Sequence, residues 1–382
     1  MKEKILQLAK RHVDEAIALR RALHRIPEIA GREFKTSALL REKLSALPLD
    51  LRQPYLETDV VAMLNESRGG RNITLRADID ALPIMEETGS PNTSTHSGFM
   101  HACGHDGHMA MLYGAARVLC DLREELPAGN VRFVFQPGEE AVAMARKLVA
   151  AGVLENPPAD FCAAVHGWPG VRHNCVSTRE GAVMAAAVHW TLTITGRGGH
   201  GSMPEKAVNP MHSAARIIDR LRRECPPVCS VCHIDSGFNQ NIIPDTALME
   251  GTTRNLDDAT GDKIEAVFRA VVDEVCREEG TAYALDYDRL YPVCASSAHG
   301  AALAKSVAEK YLGADRFEPM AKSAMSSEDF AYFLRKCPGV YCHLGLGDHT
   351  PLHRSMFEFD DALVETGMVF FAGLAVEFLG EL

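Results

Sequence analysis

Three short apolar runs in this chain end in the same way, and that repetition restricts its fold more than any other feature. Ile73-Thr-Leu75 leads into Asp78-Ile-Asp80, Val131-Arg-Phe-Val-Phe135 into Gln-Pro-Gly-Glu139-Glu140, and Phe161-Cys-Ala-Ala-Val165 into His166. Runs of this length, rich in β-branched and aromatic residues, read as buried strands. Val60-Val-Ala-Met-Leu64 and Val340-Tyr-Cys-His-Leu344 are of the same kind, and helical stretches separate several of them. The pattern predicts an α/β domain built on a mainly parallel, helix-covered sheet. In such sheets ligands bind beyond the carboxyl ends of the strands, so three polar clusters in that position predict a single site.

The densest chemistry lies in His101-Ala-Cys-Gly-His-Asp-Gly-His108, just ahead of a helical pattern that runs on from Met109. Gly104 and Gly107 let the backbone turn sharply between the polar residues. Thiolate and imidazole are the donors that borderline divalent cations prefer, and Cys103 and His105 are close enough in sequence to reach one ion. Glu139 and Glu140 add two adjacent carboxylates that point in different directions at a strand end. One can bind a metal while its neighbour moves a proton of bound water, the division of labour that metal-assisted hydrolysis needs. His166 and His353 supply further donors, and spacing alone does not separate His353 from His349, four residues earlier.

A chain of 382 residues exceeds one ordinary core, which predicts two domains. A helix over residues 4–23, stopped by Pro27, and a second after Phe34 open the first domain. Near residue 184 the texture changes. A strand at 189–195, a helix at 209–222, strands at 229–234 and 246–254, a helix at 259–277 and a strand at 283–287 give a βαββαβ, ferredoxin-like α+β unit. The expected organisation is therefore 1–183 and 293–382 as one domain, interrupted by an inserted unit over 184–292. Helices are expected at 300–311, 327–335 and from about Asp361. The net charge of −11 argues against nucleic acid or an anionic membrane as partners. No apolar run approaches the ~20 residues of a membrane span, and no signal-peptide pattern opens the chain, so a cytoplasmic location is expected. Eleven cysteines without a paired framework suggest thiols or metal ligands, not disulfides.

Taken together, Leu75-Arg-Ala-Asp-Ile-Asp-Ala-Leu-Pro83, the 101–108 cluster, Phe135-Gln-Pro-Gly-Glu-Glu140, His166-Gly-Trp-Pro169, Gly198-Gly-His-Gly-Ser202 and Thr350-Pro-Leu-His353 resemble the amidohydrolase branch of the M20 metallopeptidase family. Hippurate hydrolases, N-acyl-amino-acid deacylases and auxin-conjugate hydrolases belong to that branch. The resemblance runs from Leu23-His-Arg-Ile-Pro-Glu28 to His353. It implies two divalent ions per subunit, Zn or Mn with Co and Ni as alternatives, bridged by Cys103. His105 and His166 would complete the ligands of one ion, and Glu140 and His353 those of the other. The ions, roughly 3.5–4 Å apart, would hold an attacking hydroxide between them, with Glu139 as general acid/base and Asp78 behind the ligands, orienting one of them.

The inserted unit would be a lid and dimerisation domain in a homodimer. His200 would reach into the partner subunit's site to stabilise the oxyanion, and Asn241 and Arg254 would bind substrate, Arg254 through its bidentate fork. The implied activity is hydrolysis of an N-acyl amino acid. The branch usually has alanine where Gly138 stands, and a glycine-rich continuation after Glu140 is missing here. The first change, between two small residues, is expected to leave the loop intact. Alternatives are a dipeptidase or aminoacyl hydrolase of the same fold, a hydrolase with Cys103 as nucleophile that survives chelation, and a silent binding protein. Against the last, every ligand position and the proposed base are filled.

Overall fold

The computed structural model describes residues 1–225 and 228–381. The chain divides into two compact units, Met1–Val183 with Cys294–Lys322 and Asp329–Leu382, and Met184–Val293 with Ser323–Glu328. In the first unit eight strands lie in the spatial order Asp50–Leu51, Val60–Leu64, Gly129–Gln136, Arg71–Asp78, Phe161–Pro169, Gly339–Gly347, Val176–Thr178 and Phe317–Pro319. The four central strands, from Gly129–Gln136 to Gly339–Gly347, run parallel. Val60–Leu64 and Val176–Thr178 join them antiparallel on either side. Both faces of the central strands are buried, which is why their sequences are apolar runs instead of alternating patterns.

Helix Lys2–His24 buries Ile5, Ala9, Ala16 and Leu23, as its periodicity predicts, but it also turns His12, Arg20 and His24 inward. It packs with His105–Asp121 and Ala362–Gly380 into a layer against the sheet. Contrary to the expectation that no apolar run approaches the length of a membrane span, Ala362–Gly380 is long and apolar enough to pass for one by composition, but the helix is mostly buried in the protein, where it forms part of the core. Two glycines bring it close to its neighbour. A Cβ on Gly114 would fall 2.5 Å from Met368 Cγ, and one on Gly367 would fall 2.8 Å from Met111 Cβ.

Two helices differ from the sequence pattern. The helix expected at 327–335 spans only Ala331–Lys336, because Asp329 is drawn aside into a buried network with Arg76 (3.0 Å), Gln136 (2.8 Å) and the amide of Ala145 (2.9 Å). The helix expected at 300–311 is an α-helix over Ala298–Val307 that passes into a π-helical turn, Ala308–Leu312.

The second unit has an antiparallel sheet in the order Val228–Asp235, Thr246–Asn255, Ala186–Thr195, Ala282–Tyr291, with helices Pro210–Glu224 and Asp258–Glu279. This is the βαββαβ order. Asn209 caps the first helix, accepting from Met211 N at 3.0 Å, and Asp257 the second, accepting from Thr260 N at 2.7 Å. Trp190, Leu192, Ile217, Met249, Phe268 and Val272 fill its own core.

The tight approach at residue 367 gives a direct test. Gly367→Ala is expected to destabilise the protein by about 1–3 kcal/mol through overpacking, read as a lower urea midpoint. An unchanged midpoint would mean that Met111 moves away at no cost.

Candidate metal centre

The strand Arg71–Asp78 ends at Asp78, with Asp80 just beyond it, and Gly129–Gln136 is followed by Glu139 and Glu140. His166 lies within Phe161–Pro169, not past its end. Gly104, at φ +84°, caps the helix that opens with His105. Of the two glycines expected to turn the chain, only Gly104 has a positive φ. Gly107 is small for a different reason, since a Cβ there would lie 2.5 Å from Phe359 Cγ.

Cys103 Sγ is the meeting point. His353 Nε2 lies 3.3 Å from it and His166 Nε2 3.4 Å, while Glu140 Oε1 is 3.0 Å from His353 Nε2. Ligand atoms of Cys103, His105 and Glu140 all fall within 4.8 Å of one another. His349 instead bonds the carbonyl of Thr350 at 3.1 Å and packs edge-on against Phe357, so of the two rival histidines His353 is the one at the thiol. The ring nitrogens are sorted by their partners. His105 Nδ1 meets the carbonyl of Asp80 and His166 Nδ1 that of Gly167, each at 2.8 Å. A carbonyl only accepts, so Nδ1 carries a proton in both rings, and Nε2 is the nitrogen each ring has left for a cation. His105 Nε2 is buried and has no hydrogen-bond partner. A buried imidazole whose Nδ1–H is tied to a carbonyl and whose Nε2 is left bare is the arrangement of a metal-ligating histidine.

The electrostatics point the same way. Burial, then Glu140, Glu139 and Asp78, push the Cys103 thiol well above its ordinary range. Burial opposes protonation of His105, yet Asp78 and Asp80 drive it up to about 10. Burial and the neighbouring His108 hold His166 well below its usual value. Against their own burial, Asp78 is held below the usual carboxylate range by His105 and Arg76, and Glu140 by His353 and His105, so thiol, carboxylates and imidazoles face one another in a buried place, and a divalent ion fits this donor set. A reactive cysteine needs surroundings that stabilise its thiolate, so these disfavour Cys103 as a free nucleophile.

Several residues on which the centre depends were not singled out in the sequence. Asp78, expected behind the donors, reaches His166 through His108: Asp78 accepts from Arg76 (2.7 Å) and from His108 Nδ1 (2.6 Å), His108 Nε2 accepts from the amide of Gly167 (2.8 Å), and the carbonyl of Gly167 holds His166. Both nitrogens of His108 are thus occupied; its place one helical turn after His105 was the available signal. Asp80 accepts from the amides of Glu139 (3.1 Å) and Glu140 (2.9 Å). Glu33, wholly buried, accepts from the amides of Gly31 and Gly138, each at 2.9 Å, and from the hydroxyl of Thr58 at 2.9 Å. Burial and the Asp80 carboxylate push Glu33 up to about 7. Asp106 accepts from Arg20 (2.8 Å) and His24 (2.9 Å), which fastens the start of the His105 helix to Lys2–His24.

The remaining expected residues lie in the second unit. His200 and Asn241 share a two-stranded ribbon, Gly199–His200 against Ile242–Ile243, where the amide of Gly201 bonds the carbonyl of Asn241 at 2.7 Å. His200 Nδ1 meets the hydroxyl of Ser202 at 2.8 Å. Arg254 is not on this ribbon. It lies in the four-stranded sheet, half-buried, donating to the carbonyl of Thr253 at 2.9 Å and to the hydroxyl of Thr252.

The raised pKa of Glu33 sets a sign. The folded protein keeps this proton to a higher pH than the unfolded chain, so the contribution of Glu33 to stability falls as pH rises from about 4.5 to about 7, while the lowered His101 and His343 pull the total the other way. It is read as a difference: the stability of the metal-free wild type minus that of Glu33→Gln, from urea unfolding, should fall across this range. Equal pH slopes in the two proteins would refute the assignment.

Residues 74–377 match Peptidase family M20/M25/M40. The chain is 32% identical to thermostable carboxypeptidase 1 of Saccharolobus solfataricus, over 98% of both proteins. It is 32% identical to an N-acetylcysteine deacetylase of Bacillus subtilis, over 94% of this chain and 96% of that protein. Among solved structures it resembles the Bacillus subtilis YXEP protein, a dinuclear metal binding peptidase from the M20 family, with a TM-score of 0.87, 31% identity, and coverage of 98% of this chain and all of that one.

Proposed function

The chain belongs to peptidase family M20/M25/M40, and from that membership we propose that it is a dinuclear metal-dependent amidohydrolase that releases a free amino acid from an N-acyl amino acid. The observation that carries this reading is the Cys103 thiol, faced by the Nε2 atoms of His166 and His353 with Glu140 beside it and the bare Nε2 of His105 close by. Cys103, His105, His166, Glu140 and His353 would hold the two cations, Zn or Mn. When bound, the cations acidify a water and polarise the scissile carbonyl.

The chain's own residues do the rest. Glu139, buried beside Cys103, takes the proton of the attacking water and returns it to the leaving amine. Asp80 holds the amides of Glu139 and Glu140, so the two carboxylates keep their separate directions. Asp78, acting through His108 and Gly167, keeps the His166 ring turned with Nε2 toward the thiol. In a homodimer His200 would donate to the oxyanion in the partner subunit's site, Asn241 would bind substrate, and Arg254 would bind its carboxylate. The N-acetylcysteine deacetylase relative supports an acyl group on the other side of the amide. The carboxypeptidase relative favours a second reading, in which a peptidyl group takes the acyl side and the released amino acid is unchanged.

Free amino-acid release from N-acetyl, N-benzoyl and dipeptide substrates, by chelated protein and by protein reloaded with Mn or Zn, separates these readings. Metal-restored release from the acylated compounds is expected. Release from peptides alone would move the assignment to the second reading, and release that survives chelation would sink both. Glu139→Gln is expected to lower kcat by about 10²–10⁴-fold with metal content unchanged by elemental analysis. A variant that lost its metal, or kept its rate, would remove Glu139 from the proton-transfer role.

A further inference from the structure

Glu33 does not do what its position suggests. It is the N-cap residue of helix Phe34–Ser45, yet its side chain makes no capping bond. Glu28 caps that helix instead: its Oε2 accepts from Lys35 N (2.8 Å), Thr36 N (2.9 Å) and the hydroxyl of Thr36 (3.1 Å). Glu33 is thereby released to turn inward. It is fully buried, and its hydrogen-bond partners are two amides and a hydroxyl, none of them a cation. Burying a carboxyl in this way costs free energy, and holding the helix does not require it.

What Glu33 reaches is the loop that carries Glu139 and Glu140. Its Oε1 accepts the amide of Gly138, and the two oxygens of Asp80 accept the next two amides in turn. Three successive amides facing carboxylates form a concave backbone turn, and Gly138 sits at φ +60° within it. Strain enters beyond the pair, with Ala141 at φ +64° and Ala143 at φ +47°. Two non-glycine residues held left-handed so close together persist only where their surroundings over-determine them. Below the loop the carbonyl of Gly138 accepts from Met144 N at 2.9 Å. With the Gly138 amide also held, both sides of this residue are anchored, and they set the direction in which the next residue leaves the backbone.

We propose that Glu33 is a positioning residue for Glu139: by holding the Gly138 amide it aims the carboxylate that moves the proton. This role rests on the reading of Glu139 as the general acid/base. Glu33 touches no reacting atom and acts only through the Gly138 peptide.

Glu33→Ala removes the acceptor, Glu33→Asp withdraws it by one methylene, and Glu33→Gln keeps an acceptor oxygen in place. Two readouts are needed. The first, independent of turnover, is amide hydrogen exchange in a peptide covering 136–141 of the metal-free protein, which should speed up roughly tenfold or more in the Ala and Asp variants and stay near wild type in Gln. The second is kcat with metal saturating and its content checked by elemental analysis. It should fall about 10²-fold in Ala and Asp with KM little changed, and recover in Gln. Exchange that stays slow in the Asp variant, or faster exchange with kcat within about twofold of wild type, would overturn the role. If Glu33→Ala does not fold, the Asp and Gln pair decides the question by the same two readouts. Wild-type protein that hydrolyses no amide under any metal would instead sink the reading of the site, and this role with it, whereas loss confined to the variants bears on Glu33 alone.

Discussion

Negative charge gathered in a buried place is the constraint on which the rest of the first unit depends. Cys103, Glu139, Glu140, Asp78 and Asp80 lie close together, with Glu33 behind the carboxylate loop, and the guanidinium beside Asp78, that of Arg76, is divided between Asp78 and Asp329. Burial together with the neighbouring carboxylates keeps protons on the Cys103 thiol and Glu33, and Asp78 with Asp80 keeps one on His105 against its burial. Divalent cations would relieve the same field far more effectively than protons, and they would turn the thiol into a thiolate as they bound. Fold and chemistry are coupled at this point: the sheet gathers the carboxylates, and their repulsion calls for the ions.

The surroundings of the cluster hold its geometry against that repulsion. Arg76 and Gln136 tie two neighbouring strands to Asp329, and Asp329 in turn takes the amide of Ala145, just beyond the carboxylate loop. On the opposite side Asp106, gripped by Arg20 and His24, pins the first turn of the helix that begins with His105. Glu33 and Asp80 hold the loop from within. Each anchor comes from a different part of the chain, so no single local segment determines the positions of the donors.

That distribution explains what was legible in the sequence. The strands could be read because burial on both faces leaves apolar runs, and the donor cluster because Cys103, His105 and Glu139-Glu140 are dense and lie at the ends of those runs. His353 could be separated from its rival His349 only by resemblance, since a contact with Cys103 across 250 residues leaves no periodic trace. Glu33 and Asp80 were missed as anchors for the same reason: the bond from Gly138 to Glu33 spans 105 residues, and an inward-facing carboxylate at a helix start reads as an ordinary cap. The start of the helix at Ala331 was misplaced because Asp329 serves a distant arginine in preference to its own helix. In each case a long-range polar contact prevails over a local pattern, and sequence periodicity records only the local pattern.

Gly138 shows how far this can mislead. Exchange of the usual alanine for glycine looks neutral between two small residues. In this backbone it is not, because the residue sits at φ +60° and a Cβ would lie 2.6 Å from Met144 Cγ. The freedom of glycine is therefore used at the first residue of the loop, while Ala141 and Ala143 adopt left-handed conformations where a glycine would rest at lower cost. The glycine-rich continuation expected after Glu140 is absent, yet the turn it would serve is still made. The loop thus carries strain at Ala141 and Ala143, immediately beyond the two carboxylates that the proposed chemistry needs, and the anchors at Glu33, Asp80 and Asp329 hold the backbone on either side of it. Loss of any one anchor should therefore act on the direction of Glu139 before it acts on the fold, because the sheet and the helix layer beneath are held by apolar packing that none of these groups supplies.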